Sequence, residues 1–171
     1  MGIEGQGLNE PVTVCDAGPI IHLDELCGLD LLRDLGLFLV PDSVWAEVQK
    51  HRPKLCLNAL PQAQIAPAVE DATVQAATFM ELDAGETDCL ALLRHHRGGL
   101  FLTDDLKARA TGVVLGFRVQ GTLGLLLRGA RQGWREGNEI RNILQNLPAL
   151  SSLHATHRIR REALQRLEAQ S

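Results

Sequence analysis

The chain has 171 residues, of which 45% are hydrophobic and 22% charged, with a formal net charge of -4. This length suits one compact domain with a small appendage, able to bury its core without disulfides or a structural metal. The acidic balance excludes nucleic-acid binding through bulk positive charge, while leaving room for an acidic site with a local basic rim.

The four cysteines (Cys15, Cys27, Cys56 and Cys89) lack C-x-x-C spacing and read as reduced, mostly buried thiols. The start, MGIEGQGLNEP, has neither a basic patch nor a long apolar run, so residues 1–11 read as a flexible leader and not a secretory signal. The apolar stretches fall well short of the ~20 residues that span a bilayer, which makes a cytoplasmic location the default expectation.

VTVC at 12–15 is a short β-branched run that ends at Asp16, the pattern of a buried strand. A helical run over Ile20–Leu26 follows, and LDLLRDLG at 29–36 has Leu29, Leu32 and Leu35 at helical spacing before Gly36. LFLV at 37–40 is a second buried strand. Asp42 or Ser43 then caps a helix carrying Val44, Trp45, Glu47 and Val48. QIAPAV at 64–69 has room for a short strand, and DATVQAATFMEL at 71–82 reads as a helix. After Gly85, ETDCLALLRHHRG forms a helix with Cys89, Leu90, Leu92 and Leu93 on one face. LFLT at 100–103 is the third clear strand and runs into Asp104-Asp105. A helix over 106–116, a strand FRVQ at 117–120 and a helix over 122–134 complete the alternation. Strands separated by helices of this length predict βαβ units on a parallel sheet, an α/β fold. Residues 136–171 show helices only, packed on or extending from the domain formed by 12–135.

In such a sheet, functional groups gather beyond the carboxyl ends of the strands. Asp16 and Asp104-Asp105 fall there, each on a rigid apolar strand; Glu47 lies on the helix after the second strand, and Glu86 and Asp88 lie in the first turns of another helix. Each has a structural alternative. Asp16 and Asp104-Asp105 suit caps, Glu47 suits a solvated helix face, and Glu86 suits a helix N-terminus. If they converge, their repulsion raises pKa values unless a cation offsets it. An oxygen-only ligand set suits Mg2+ or Mn2+, which activates water against a phosphodiester.

The segments VCDAGPIIHL, VPDSVWAEV, LDAGETDCLALL and LFLTDDLKARATGVVLGFRVQGTLGLLL occur in this order. Together they resemble the PIN-domain nucleases, most closely a prokaryotic branch related to VapC-type toxins. The matching positions are Asp16; Pro41, Val44, Glu47 and Val48; Gly85-Glu86; Leu102 to Asp105 with Ala108-Arg109; and the turn Gly121, Thr122, Gly124. The turn after the first acid is Ala17-Gly18-Pro19, where many PIN proteins place a hydroxyl residue.

The resemblance implies a PIN-like parallel sheet flanked by helices (α/β/α) and an acidic pocket binding Mg2+ or Mn2+. It implies an endoribonuclease acting on RNA, with Asp16, Glu47 and Asp104 or Asp105 as metal-site carboxylates. Glu86 or Asp88 supplies the third position, since side chains two apart on a helix face differently. Thr103, Lys107 and Arg109 are expected at the substrate rim, with Arg118, Arg128, Arg131 and Arg135 as further cations or as a solvated face. The implied role is the toxin of a toxin–antitoxin pair, with a small antitoxin as partner. The alternatives are a housekeeping RNA-processing nuclease, or a PIN-like module that binds RNA or protein without catalysis. Leu, Val and Ile in the helices between 20 and 60 exceed what one sheet face needs, which points to a homodimer.

Overall fold

The computed structural model describes residues 11–72, 74, 81–96 and 98–170. The expected leader (apart from Pro11) and most of the expected 71–82 helix lie outside the described residues. The elements run β1 (Val12–Cys15), α1 (Ala17–Glu25), a 3-10 turn (Leu29–Leu32), β2 (Leu37–Pro41), α2 (Asp42–His51), β3 (Ala63–Ala66) and α3 (Ala84–Arg94). They continue with β4 (Leu100–Leu102), α4 (Leu106–Val114), β5 (Arg118–Gln120), α5 (Thr122–Arg131), α6 (Gly137–Leu150) and α7 (His157–Glu168).

All strand pairs are parallel, in the order β3-β2-β1-β4-β5. The central strands are apolar because both faces are covered: Val14, Cys15, Phe38, Val40, Phe101 and Leu102 are fully buried. The chain builds outward from β1 through β2 to β3, then crosses to β4 and β5 on the other side. The strand order therefore reverses between β1 and β4, where a crevice opens at the carboxyl ends. The parallel α/β architecture expected from the alternation is present, with a helical C-terminal segment.

Three local expectations need correction. The helix over 29–36 is a single 3-10 turn, because the chain must reverse to start β2 beside β1. Asp34 and Gly36 take positive φ (60° and 72°), and the Leu37 N–H donates to the Pro11 carbonyl at 3.0 Å. A Cβ on Gly36 would lie 1.9 Å from that carbonyl oxygen. Neither Asp42 nor Ser43 caps α2: Pro41 holds the cap position, Asp42 accepts from the Ser43 N–H, and the Ser43 hydroxyl donates to Asp88. Finally, all four cysteines are free, but only Cys15 and Cys89 are buried, while Cys27 and Cys56 are exposed.

Ile140, Leu144 and Leu147 of α6 recur every three or four residues and are buried, as are Ala163 and Leu167 of α7. Both helices pack on α5 and on each other. The α6–α7 loop is tied to α1 through Glu25, whose carboxylate accepts from the Ser151 hydroxyl and the Ser152 N–H, each at 2.7 Å. Among the described residues no helix is long and apolar enough to cross a membrane.

Gly36→Ala should destabilise the fold by about 2 kcal/mol or more, combining left-handed backbone strain with the clash on Pro11. Urea unfolding should show a lower midpoint with an unchanged slope; a wild-type midpoint would contradict this account of the turn.

Candidate active site

The acidic site begins where β1 meets β4. Cys15 is in register with Leu102, and the Asp16 N–H donates to the Leu102 carbonyl at 2.9 Å. Asp16 then caps α1, its Oδ1 accepting from the Ala17 N–H at 2.7 Å. Its Oδ2 accepts from the Thr103 hydroxyl at 3.0 Å, and that hydroxyl also accepts from the Asp105 N–H at 3.2 Å. One fully buried threonine thus joins the ends of β1 and β4.

The tandem acids after β4 diverge. Asp105 caps α4, with Oδ1 accepting from the Lys107 and Ala108 N–H groups. Asp104 turns toward α5 and α1. Its Oδ1 accepts from the Thr122 N–H at 2.7 Å, and its Oδ2 contacts the Thr122 hydroxyl at 2.6 Å and His22 Nδ1 at 2.8 Å.

Two further elements close the site. Asp83 and Glu86 form a reciprocal capping box at the start of α3: Asp83 accepts from the Glu86 N–H at 2.8 Å, and Glu86 Oε2 accepts from the Asp83 N–H at 3.0 Å. Gly85 lets α2 approach. A Cβ there would lie 3.1 Å from Val44 Cγ2 and 3.9 Å from Glu47 Oε2, so Glu47 reaches the start of α3.

Burial and crowding make Asp16 and Glu86 reluctant to ionise. Desolvation raises the Asp16 pKa from 3.8 to about 6, with Asp83 and Glu47 adding repulsion, against the lowering effect of hydrogen bonds from Ala17 and Thr103. Desolvation raises Glu86 from 4.5 to about 7, reinforced by Asp83, Asp105 and Asp16. Three of the acids cap helix N-termini, where backbone N–H groups favour negative charge. Asp16, Asp83 and Asp105 are thus caps and, at the same time, sources or targets of repulsion among neighbouring acids.

A family model described as PIN domain matches residues 12–169. The chain belongs to the PIN-domain family. PIN domains are generally nucleases and typically use divalent metal ions. No curated protein and no solved structure matches the chain.

In this PIN domain, Asp16 is repelled by Asp83 and Glu47, and Glu86 by Asp83, Asp105 and Asp16, so these five acids lie near one another. Asp104 is held by His22 and Thr122, and Asp88 by Ser43. Among the described residues no three His, Cys, Asp or Glu side chains form a ready-made cluster of direct metal ligands. The donor set still fits a hard divalent cation. Its members are carboxylates whose charge is under-compensated, and Mg2+ commonly takes only one or two carboxylates directly, keeping several waters.

The expected rim changes. Thr103 is wholly buried, so its hydroxyl orients Asp16 rather than facing substrate. Arg109 donates to the Thr103 carbonyl at 3.3 Å, and Lys107 lies 3.6 Å from Glu81. Arg118 is absent from this edge: it starts β5 and donates to the Gly98 carbonyl at the opposite end of the sheet. Arg128 stacks on Trp134, and Arg135 pairs with Asp30 and Glu139, so neither belongs to the rim. Of the residues that sequence reasoning missed, Asp83 carried a usable signal, the D-x-x-E spacing of a capping box. His22 carried none, since its partner is 82 residues away.

Folding raises the Asp16 pKa, so its stabilising contribution is complete below pH 3.8 and is lost as pH rises through about 6. Asn mimics the neutral acid. Without divalent metal, Asp16→Asn should therefore be more stable than wild type at pH 8, by up to about 3 kcal/mol. The difference should vanish near pH 4 in thermal melts. Parallel melting curves across that range would show that Asp16 is not strained by burial and repulsion.

Proposed function

We propose that this PIN domain is a divalent-metal-dependent endoribonuclease, a hydrolase that cleaves RNA phosphodiester bonds. The observation that supports it most is the Asp16 carboxyl at the switch point of the sheet, its pKa pushed up to about 6 by burial and by the nearby Asp83 and Glu47. A non-catalytic scaffold has no use for this arrangement, because acids crowded together in a crevice cost stability.

Asp16, Glu47, Asp83, Glu86 and Asp105 would hold Mg2+ or Mn2+ together with its own bound waters. Asp88 and Asp104 stand outside this set. When bound, the cation activates water and offsets charge on the phosphate. The chain's own residues position the reaction. Thr103 sets the Asp16 side-chain orientation, Gly85 lets Glu47 approach, and the N-terminus of α4 orients Asp105. Water oxygen joins phosphorus, the opposite P–O bond breaks, and the leaving oxygen takes up a proton.

Activity should require Mn2+ or Mg2+ and disappear in EDTA. Asp16→Asn and Asp105→Asn should each lower turnover about 100-fold or more, with the fold intact. Thr103→Val, which removes only the supporting hydroxyl, should cost about 10- to 100-fold. Undiminished cleavage of an RNA pool in EDTA would end the metal reading.

The order of motifs supports placement in the branch related to VapC-type toxins, as the toxin of a toxin–antitoxin pair acting in the cytoplasm. A small antitoxin gene beside this one would strengthen that role over housekeeping RNA processing. For the homodimer, the apolar surplus does not lie between residues 20 and 60, where Ile20, Leu23, Leu31, Leu32, Val44 and Val48 are buried. It lies on α4, where Leu106, Val113 and Val114 are 76%, 63% and 82% exposed. Light scattering should report a dimer, and Val114→Glu a monomer; a wild-type monomer at high concentration would remove the dimer from the proposal.

A further inference from the structure

A cleft of about 440 Å³ opens beside the carboxylates, between the β5–α5 corner and α7. Its volume lies in the range of small-ligand sites and accommodates a nucleotide. Asp104 lines its inner end, and the next residue, Asp105, caps α4, so the cleft opens beside the carboxyl end of β4. Its walls are aliphatic: Leu123 and Leu127 from α5 face Leu153 and Ile159 from the C-terminal segment. Gly121 lets Asp104 and Arg109 pack directly on the backbone at its floor, since a Cβ there would lie 2.6 Å from Asp104 Oδ1 and 3.0 Å from the Arg109 guanidinium.

Charge decides what fits. A phosphodiester approaching five carboxylates in a chain of net charge -4 needs local cations. The cleft supplies Arg109 on the side of the active site and Arg166 on α7, with His154 between the helices. Of its two acids, Asp104 is engaged by His22 and Thr122, and Glu162 lies 3.8 Å from Arg158. Gln120 and Thr156 add amide and hydroxyl groups along the same wall. Guanidinium groups flanking an aliphatic slot, with polar groups at its edge, match a base between two phosphates.

We infer that this cleft is a nucleotide subsite, which seats the base next to the scissile phosphate and makes α7 a determinant of where single-stranded RNA is cut. The inference rests on the ribonuclease reading, yet binding can be measured without turnover. The test uses the full chain carrying Asp16→Asn in magnesium, with a fluorescein-labelled single-stranded RNA of random sequence followed by anisotropy. Adding Arg166→Glu should weaken binding about tenfold and reduce the salt dependence by about one phosphate contact. Adding Ile159→Trp, which fills the slot, should weaken binding about tenfold by excluding the base.

Arg166 is exposed, so its variant keeps the test decisive if the tryptophan disturbs folding in a thermal melt. Wild-type affinity and salt slope in the Arg166→Glu protein would overturn the proposal and leave the cleft to a peptide partner. Hydrolysis of bis(p-nitrophenyl) phosphate by the wild-type chain with Mn2+ separates the two ideas. Failure there, with RNA binding still sensitive to Arg166, removes the catalytic reading and keeps the subsite.

Discussion

A carboxylate held almost out of water at the end of β1 sets the terms for the whole carboxyl edge of the sheet. Asp16 stays there because three contacts support it: its own N–H on the Leu102 carbonyl, the Ala17 N–H on Oδ1, and the Thr103 hydroxyl on Oδ2. These offset only part of the cost of burial, and the acid remains harder to ionise than in water. The site therefore stores unfavourable electrostatics, and the proposed divalent cation would relieve them, which would link folding stability to metal binding. Functional sites commonly take this form, with local strain carried by a rigid scaffold.

The scaffold is rigid for reasons visible in its topology. A parallel sheet with covered faces holds its strands by evenly spaced hydrogen bonds and apolar packing on both sides. Reversal of the strand order between β1 and β4 leaves their carboxyl ends uncovered by a crossover. Helix N-termini point into the same crevice, so acids placed as caps are also acids placed as possible ligands. Local capping and site assembly use the same side chains.

The paired acids after β4 show how tertiary context separates neighbours of equal chemistry. Asp104 is consumed in joining α1 to α5 through His22 and Thr122, while Asp105 keeps one oxygen on the cap of α4 and repels Glu86. Glu86 and Asp88 separate similarly: one folds back in a capping box, the other meets Ser43. Helix α7 and the loop before it, which carry no acidic motif, supply the far wall of the cleft beside Asp104.

Hydrophobic period and turn residues were enough, in the sequence alone, to place β1, β2, β4 and the helices that follow them, because strands covered on both faces must be uniformly apolar. The same pattern marked Asp16 and Asp104-Asp105 as strand-end acids, and motif order brought in Glu47 and Glu86. Only the tertiary structure decided which acids share a site. That depends on sheet order, on the approach of α2 permitted by Gly85, and on His22 meeting Asp104 across 82 residues. It also cut the 29–36 run to one turn, because Leu37 must pair beside Val12, a constraint absent from the leucine spacing. Whether Arg118, Arg128 and Arg135 serve a rim or another face stayed open in the sequence for a related reason: nearness in the chain does not say which end of a strand or helix a long side chain serves. Local propensity acts over a few residues, whereas a site made from four segments is defined by contacts that the chain closes only when it packs.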